Sequence, residues 1–327
     1  KRQEWKRYMI NIKIKVNDAN QRADRFLQKL MPNAGKNFLM RMLREKKIKV
    51  NKKKCEPSYL LLEGDDVKIY FSDETFEKFS KGRREVFNKT KIEIVYEDEN
   101  VLIVDKPAGL LCHVSNNLKE PNLVDGVINY LREKGEYNPR DEHSFVPAIS
   151  NRLDRNTAGL VIAAKNANTL RTMNELIKNR EIQKLYHAIV RGKMDYNGIL
   201  KNSFEKNEKK NMVRVIKDGE KSMESVITTI KSASDFSLVK IELITGRTHQ
   251  IRLQLKLLKH PIIGDNKYGD IGFNNSLNIK DKNHQRLVAG ELVFPKLEGD
   301  LESLSDKSFK SKYLEELIDD YRSLTDE

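Results

Sequence analysis

The sequence predicts an α+β protein: a large domain on a mixed, largely antiparallel sheet, preceded by a small α/β module. Two observations carry this. After residue 92, strand-length stretches outnumber helical ones and several are joined by hairpin-like turns. Before that, about 75 residues have a different texture, with short helices and strands crowded by Lys and Arg. The chain's 327 residues are enough for two domains with a sizeable core in at least one.

The first module occupies residues 1–75. Its "INIKIKV" alternates as a half-buried strand does. "NQRADRFLQKLM" then sets Phe26, Leu27 and Leu30 at helical spacing. After the break at Pro32–Gly35, "KNFLMRMLREKKI" puts Phe38, Leu39, Met42 and Leu43 on one face, with Lys36, Arg41, Arg44, Lys46 and Lys47 around it. "IKVNKKK" and "EGDDVKIYF" close the module as short strands. Mixed charge and no clear period from Ser72 onward make residues 76–91 a linker.

The second domain spans residues 92–327. "IEIVYEDENVLIVDKPAG" alternates in two strand-length pieces before a turn at Lys106–Gly109. Further strands are expected at "GLVIAAK", "KLYHAIVRG", "ESVITTIK" and "SLVKIELIT". Helices are expected at "NLVDGVINYLREKG", "NANTLRTMNELIKN", "RTHQIRLQLKLLKH", beginning near Thr248, and "YLEELIDDYRSL". No internal repeat is visible.

The net charge of +13 raises affinity for polyphosphates and speeds encounter with them, which points to nucleic acid. No apolar run approaches the roughly 18 to 20 residues that cross a bilayer, and the N-terminal stretch lacks the apolar core of a signal peptide. Cys55 and Cys112 are too few for a disulfide framework or a zinc knuckle, so a reducing cytoplasm is expected and no metal site. Neither a glycine-rich dinucleotide fingerprint nor a P-loop is present, so no nucleotide cofactor is expected. A monomer suffices for everything the sequence shows.

Three constellations carry chemistry. "NRLDRNTAGL" sets Asp154 between Arg152 and Arg155, with Thr157 and Gly159 leading into a strand. "QKLYHAIVRG" places Tyr186 on one strand face with Ala188 and Val190. "LITGRTHQIRLQLKLLKHPIIGDNKYG" runs from a strand into a helix with Ile251, Leu255 and Leu258 toward the core. Arg252 is turned about 100° from Ile251 and free to face something else. Singly, each has an ordinary structural reading as an ion pair, a core tyrosine or a surface cation.

In combination and order, "VDKPAGLLCH", "NRLDRNTAGLVIAAK", "KLYHAIVRG", "TGRTHQIRLQL" and "HPIIGDNKYG" resemble the RluA-type pseudouridine synthases over about two thirds of the chain. "RADRFL", "LREKKIKVN" and "LLEGDDVKIY" resemble the S4 RNA-binding domain over the first 75 residues, as in the subgroup acting on large-subunit ribosomal RNA. The resemblance implies the pseudouridine synthase fold and isomerisation of uridine in RNA, most specifically 23S rRNA or a pre-ribosomal particle. It implies Asp154 as the catalytic carboxylate and Arg252 as the cation paired with it. Tyr186 would stack on the uracil and serve in proton removal at C5, Ile251 would wall the pocket, and Arg152 would fill the gap left by the extruded nucleotide. Arg22, Lys36, Arg41, Arg44, Lys46 and Lys47 would hold RNA phosphates. The family usually has His where this chain has Asn151, and Ser where it has Ala158.

The chemistry suits this set. Uridine becomes pseudouridine when N1–C1′ breaks and C5–C1′ forms, with no net redox change. One ionised carboxylate near C1′ and C6 can add covalently or remove a sugar proton. Burial would favour its protonated form, and an adjacent guanidinium reverses that, so a dry cleft with Asp154 against Arg252 is expected. A non-catalytic RNA-binding or ribosome-assembly factor is the alternative, with Asn151 its only sequence hint. A glycosidase would need two well-placed carboxylates and only one is evident.

Overall fold

A computed structural model describes residues 9–80, 90–115, 117, 119–207, 212–216, 222–277, 279 and 284–326, the side chains of residues 205–207 and 212–216 excepted. In the small module, strand β1 (Ile10–Lys13) precedes helices α1 (Ala23–Leu30) and α2 (Lys36–Arg44), then strands β2 (Ile48–Val50), β3 (Lys53–Lys54) and β4 (Asp66–Ile69). The four strands pair antiparallel in the order β1-β4-β2-β3. The helical spacing read from the sequence buries Phe26, Leu27, Leu39 and Leu43 completely or nearly so against Ile48 and Ile69.

The expected linker begins as helix α3 (Asp73–Ser80), because Phe76 and Phe79, three residues apart, pack on the module's core. The Phe79 ring centroid lies 4.9 Å from that of Phe38. Residues 81–89 of that expected linker, like residues 1–8, lie outside the described residues.

The second part of the chain folds around one large sheet. Its elements are β5 (Ile94–Glu97), β6 (Val101–Lys106), α4 (Leu123–Glu133), β7 (Ala148–Ile149), β8 (Ala158–Ala164), α5 (Ala167–Lys178), β9 (Gln183–Arg191), β10 (Asn197–Asn207), β11 (Met212–Ile216), β12 (Ser222–Ser232), β13 (Phe236–Leu243), α6 (Gln250–Leu257), α7 (Ile271–Ser276), β14 (Leu287–Val293), β15 (Ser308–Lys310) and α8 (Lys312–Thr325). Among the described residues the strand order is β11-β10-β12-β13-β9-β14-β8-β6-β5, with β15 on β14 and β7 on β8. Every pairing is antiparallel except β8 with β14, so the sheet is mixed and largely antiparallel as expected.

That parallel pairing sets the frame for the site. Gly159 opposes Ala289 at φ +121°, and a Cβ there would lie 2.3 Å from the Ala289 carbonyl oxygen. Only glycine lets the two backbones approach so closely. One face of the sheet, with Val161, Tyr186, Ala188 and Ile241, packs against α4 and α6. The opposite face takes α5 through Met173 and Leu176, and α8 through Leu317 and Tyr321. Asn122, Asn166 and Ser311 cap α4, α5 and α8 by accepting first-turn N–H bonds. The small module is joined to the segment before β7 by Asn17 and Gln21, which donate to Glu142 and Ser144, and by Asp18, which accepts from the Ser144 hydroxyl; Asn17 also accepts the Ala167 N–H at the start of α5.

Candidate active site

The stretch from Ser150 to Thr157 is an irregular segment pinned on several sides. Asn151 donates through Nδ2 to the Leu160 carbonyl at 3.1 Å and accepts the Ile162 N–H at 2.8 Å through Oδ1. Its amide therefore acts as a short extra strand beside β8. The Leu153 N–H donates to the Cys112 thiol sulfur, Thr157 N donates to the Asp154 carbonyl, and Gln285 donates to the Thr157 hydroxyl. Lys106 is fully buried, and its ammonium donates to the carbonyls of Pro107, Leu110 and Arg155. Burial lowers that ammonium's pKa to about 8, against the opposing pull of Cys112 and Asp154.

Opposite stands the start of α6. The helix begins at Gln250 rather than near Thr248, because His249 takes a left-handed conformation at φ 55° and turns the chain into it. Gln250 ties the helix start to the preceding turn and to β12. Its Oε1 accepts from the Arg247 N–H and the Thr245 hydroxyl, while Nε2 donates to Glu224 O and Ser225 Oγ on β12. Gln254, one turn on, accepts from Ser225 Oγ and donates to Leu200 O on β10. Two buried amides thus fix the helix against the sheet, and Arg252 with it.

Arg252 reaches across to the irregular segment. Its Nη1 donates to Asp154 Oδ2 at 2.9 Å, and both side chains line a cavity of about 380 Å³. Arg152, Tyr186, His249 and Ile251 line the same cavity. The Arg252 side chain is 10% exposed and that of Asp154 30% exposed. The carboxylate is therefore half-buried rather than enclosed in a dry cleft. His249 Nε2 stands 3.9 Å from the same Asp154 oxygen, and its Nδ1 contacts the Tyr268 hydroxyl at 3.2 Å. Burial lowers the His249 imidazole's pKa, against the opposing pull of Asp154.

Tyr186 shares its strand face with Ala188 and Val190, as its spacing required. Burial first, and the Asp154 charge second, push its phenol above the ordinary range. Arg152 is exposed at the cavity rim. In the small module Lys36, Arg41, Arg44 and Lys46 are exposed and Lys47 partly so, with Lys46 and Lys47 lying beyond the end of α2. Arg22 is engaged, donating through Nε and Nη2 to both oxygens of Asp24, and none of these small-module cations lines the Asp154 cavity.

Asp265 was not anticipated. It is 1% exposed and accepts two bonds from Arg252, at 2.7 Å from Nε and 2.8 Å from Nη2. Burial alone would raise its pKa, and the Arg252 guanidinium more than reverses this. The sequence signal is the acid in "HPIIGDNKYG", which charge patterning along a helix cannot connect to Arg252.

A family model of RNA pseudouridylate synthases matches residues 100–257, which hold Asp154, Tyr186 and Arg252. An uncharacterized RNA pseudouridine synthase of Mycoplasma genitalium is 34% identical over 305 residues, covering 90% of this chain and 93% of its own. The chain belongs to the RNA pseudouridine synthases, of the RluA type. Ribosomal large subunit pseudouridine synthase C of Escherichia coli K12 is 33% identical over 275 residues, covering 81% of this chain and 82% of its own. Human RNA pseudouridylate synthase domain containing 4 shares the synthase fold at a TM-score of 0.53 and 20% identity, over 70% of this chain and 93% of its own. The synthase is thus an isomerase acting on RNA. Among its described residues, no helix is long and apolar enough to cross a membrane, and no group of three or more His, Cys, Asp or Glu could hold a metal ion.

Proposed function

We propose that this synthase isomerises uridines of 23S ribosomal RNA, with Asp154 as the carboxylate that works at C1′ and C6 of an extruded nucleotide. The observation that carries the site assignment is the 2.9 Å contact of Asp154 with Arg252, inside a cavity that Tyr186 also lines. The ribosomal reading draws on the relatives named for the large subunit and on the cation-rich small module.

The target base is stacked in its RNA and leaves the stack at a cost of a few kcal/mol. Arg152, exposed at the rim, enters the vacancy and offsets part of that cost by stacking and hydrogen bonding. The uracil stacks on Tyr186, which contributes about 1–3 kcal/mol. Ile251 and the apolar neighbours of Tyr186 wall the base off, and the RNA itself closes the open side of Asp154. Asp154 then acts on the sugar or on C6, N1–C1′ breaks, the uracil turns, and C5–C1′ forms. The proton lost from C5 balances the one gained at N1. Tyr186 takes part as a neutral phenol at neutral pH, because its surroundings oppose the phenolate.

The small module, residues 1–75, serves as an S4-like grip on phosphates through Lys36, Arg41, Arg44, Lys46 and Lys47, with Arg22 shared between RNA and Asp24. Such contacts fix register without reading sequence. The protein works in the cytoplasm as a monomer and without a nucleotide cofactor.

The test uses 23S rRNA and tRNA, each purified from cells lacking this gene. Wild-type protein should create new carbodiimide-dependent reverse-transcription stops in the 23S rRNA, and Asp154→Asn should bind that RNA equally while creating none. Turnover by Asp154→Asn sinks the catalytic assignment. Stops confined to tRNA, with none in 23S rRNA, sink the substrate.

A further inference from the structure

Asp154 is approached on one oxygen only. Arg252 Nη1 at 2.9 Å and His249 Nε2 at 3.9 Å both face Oδ2, and no hydrogen bond or ion pair among the described residues reaches Oδ1. A guanidinium beside a lone carboxylate ordinarily takes both oxygens through a two-pronged contact. Here that contact is made elsewhere. Asp265 accepts Nε at 2.7 Å and Nη2 at 2.8 Å, so only the Nη1 edge of Arg252 is turned toward Asp154.

Asp265 is itself fixed. Its Oδ1 accepts the backbone N–H groups of Lys267 at 2.8 Å and Tyr268 at 3.0 Å, and the Asp265 N–H donates to the Ile262 carbonyl. The Tyr268 ring centroid lies 5.2 Å from the Arg252 guanidinium carbon and adds a cation–π contact beside the fork. The charge arrangement matters as much as the geometry. One guanidinium between two carboxylates leaves a cluster of net −1, whereas an Arg252–Asp154 pair alone would be neutral.

We propose that Asp265 is a positioning residue: by taking Nε and Nη2 of Arg252 it confines that guanidinium to one oxygen of Asp154 and keeps Oδ1 free for the uridine. The proposal rests on the reading of Asp154 as the reacting carboxylate. It concerns the turn after α6, a segment that contributes no group to the reacting atoms. Without Asp265, Arg252 swings into a two-pronged contact with Asp154 and occupies the oxygen that has to reach the sugar or C6.

The experiment compares wild type, Asp154→Asn, Asp265→Asn, Arg252→Met and Arg252→Met/Asp265→Asn by single-turnover kinetics on the same RNA, with binding measured separately. Asp265→Asn is expected to lower kcat about 100-fold, as a displacement of about 1 Å at a reacting group does, with KM and RNA affinity within about threefold of wild type. In the Arg252→Met background the same substitution should lower kcat no further, because the residue it acts through is gone. Should Asp265→Asn alone not fold, Asp265→Glu, which keeps the buried charge but displaces the fork, is measured in its place and must show the same split, a lowered kcat at near wild-type KM and RNA affinity. A kcat for Asp265→Asn within threefold of wild type overturns the proposal, as does a full additional loss on top of Arg252→Met. Turnover by Asp154→Asn would instead overturn the underlying reading, whatever Asp265→Asn does.

Discussion

Arg252 Nη1 stands 2.9 Å from Asp154 Oδ2, two residues 98 apart in the chain that are brought together by the β8 approach and the α6 start. Because Arg252 also bridges to Asp265, removing it has two separable effects. Arg252→Met leaves Asp265 as a buried carboxylate without its cation, which destabilises by about 3–5 kcal/mol. Asp154→Asn leaves the Arg252–Asp265 pair intact and should unfold near the wild-type urea midpoint. Arg252→Lys keeps the charge but cannot fork, so its kcat should fall about 100-fold while RNA affinity holds. Urea unfolding and single-turnover rates on the three variants check this, and equal midpoints for Arg252→Met and Asp154→Asn would contradict it.

The raised phenol of Tyr186 makes a second expectation specific. Burial and Asp154 keep the hydroxyl protonated across the neutral range, so the ring matters more than the oxygen. Tyr186→Ala loses about 1–3 kcal/mol of stacking, read as a roughly 5- to 150-fold fall in kcat/KM. Tyr186→Phe should stay within about tenfold of wild type, with a pH–rate profile of the same shape between pH 6 and 9. A rising limb in the wild type near neutrality that vanishes in Tyr186→Phe would show phenolate chemistry.

Asp154, Tyr186 and Arg252 were legible as one site through the resemblance that their motifs carry, and periodicity added only orientations. Strand alternation gave the face of Tyr186, and helical rotation gave the separation of Arg252 from Ile251. Asp265 was hidden because its partner lies 13 residues away around the end of α6 and a turn, a distance at which no periodic rule applies. The half-open Asp154 was hidden for another reason: sequence can suggest a pocket's walls but not whether it has a roof. Strand β10 was hidden because "NGILKNSFEKN" is polar along most of its length, and α3 because Phe76 and Phe79 are its only apolar residues, too few to display a period. Asn151 differs from the family's His, yet its two bonds to β8 show why an amide is at home there.

His187, next to Tyr186 but on the α8 side of the sheet, sets a pH dependence of stability. It is 7% exposed, and its Nδ1 has no hydrogen-bond partner among the described residues. Burial first, then Lys240 and Lys310, lower its pKa from 6.5 to about 4. The folded state therefore binds this proton less readily than the unfolded state. The stabilisation from a neutral His187 is fully present above about pH 6.5 and is lost as pH falls through about 4. Its full size is about 3 kcal/mol. Glu97, whose carboxyl is held down at about 2 by Lys134, Tyr130 and Lys165 against the cost of burial, loses its contribution at lower pH, between about 4.5 and 2. His187→Leu removes the titrating group and the unmade hydrogen bond together, so at pH 7 its stability should match or exceed wild type. Between pH 7 and 4, wild type should lose about 3 kcal/mol more than His187→Leu in urea unfolding. Parallel stability curves for the two proteins over that window would mean that His187 is protonated in the folded chain, and that the interior between β9 and α8 admits water to it.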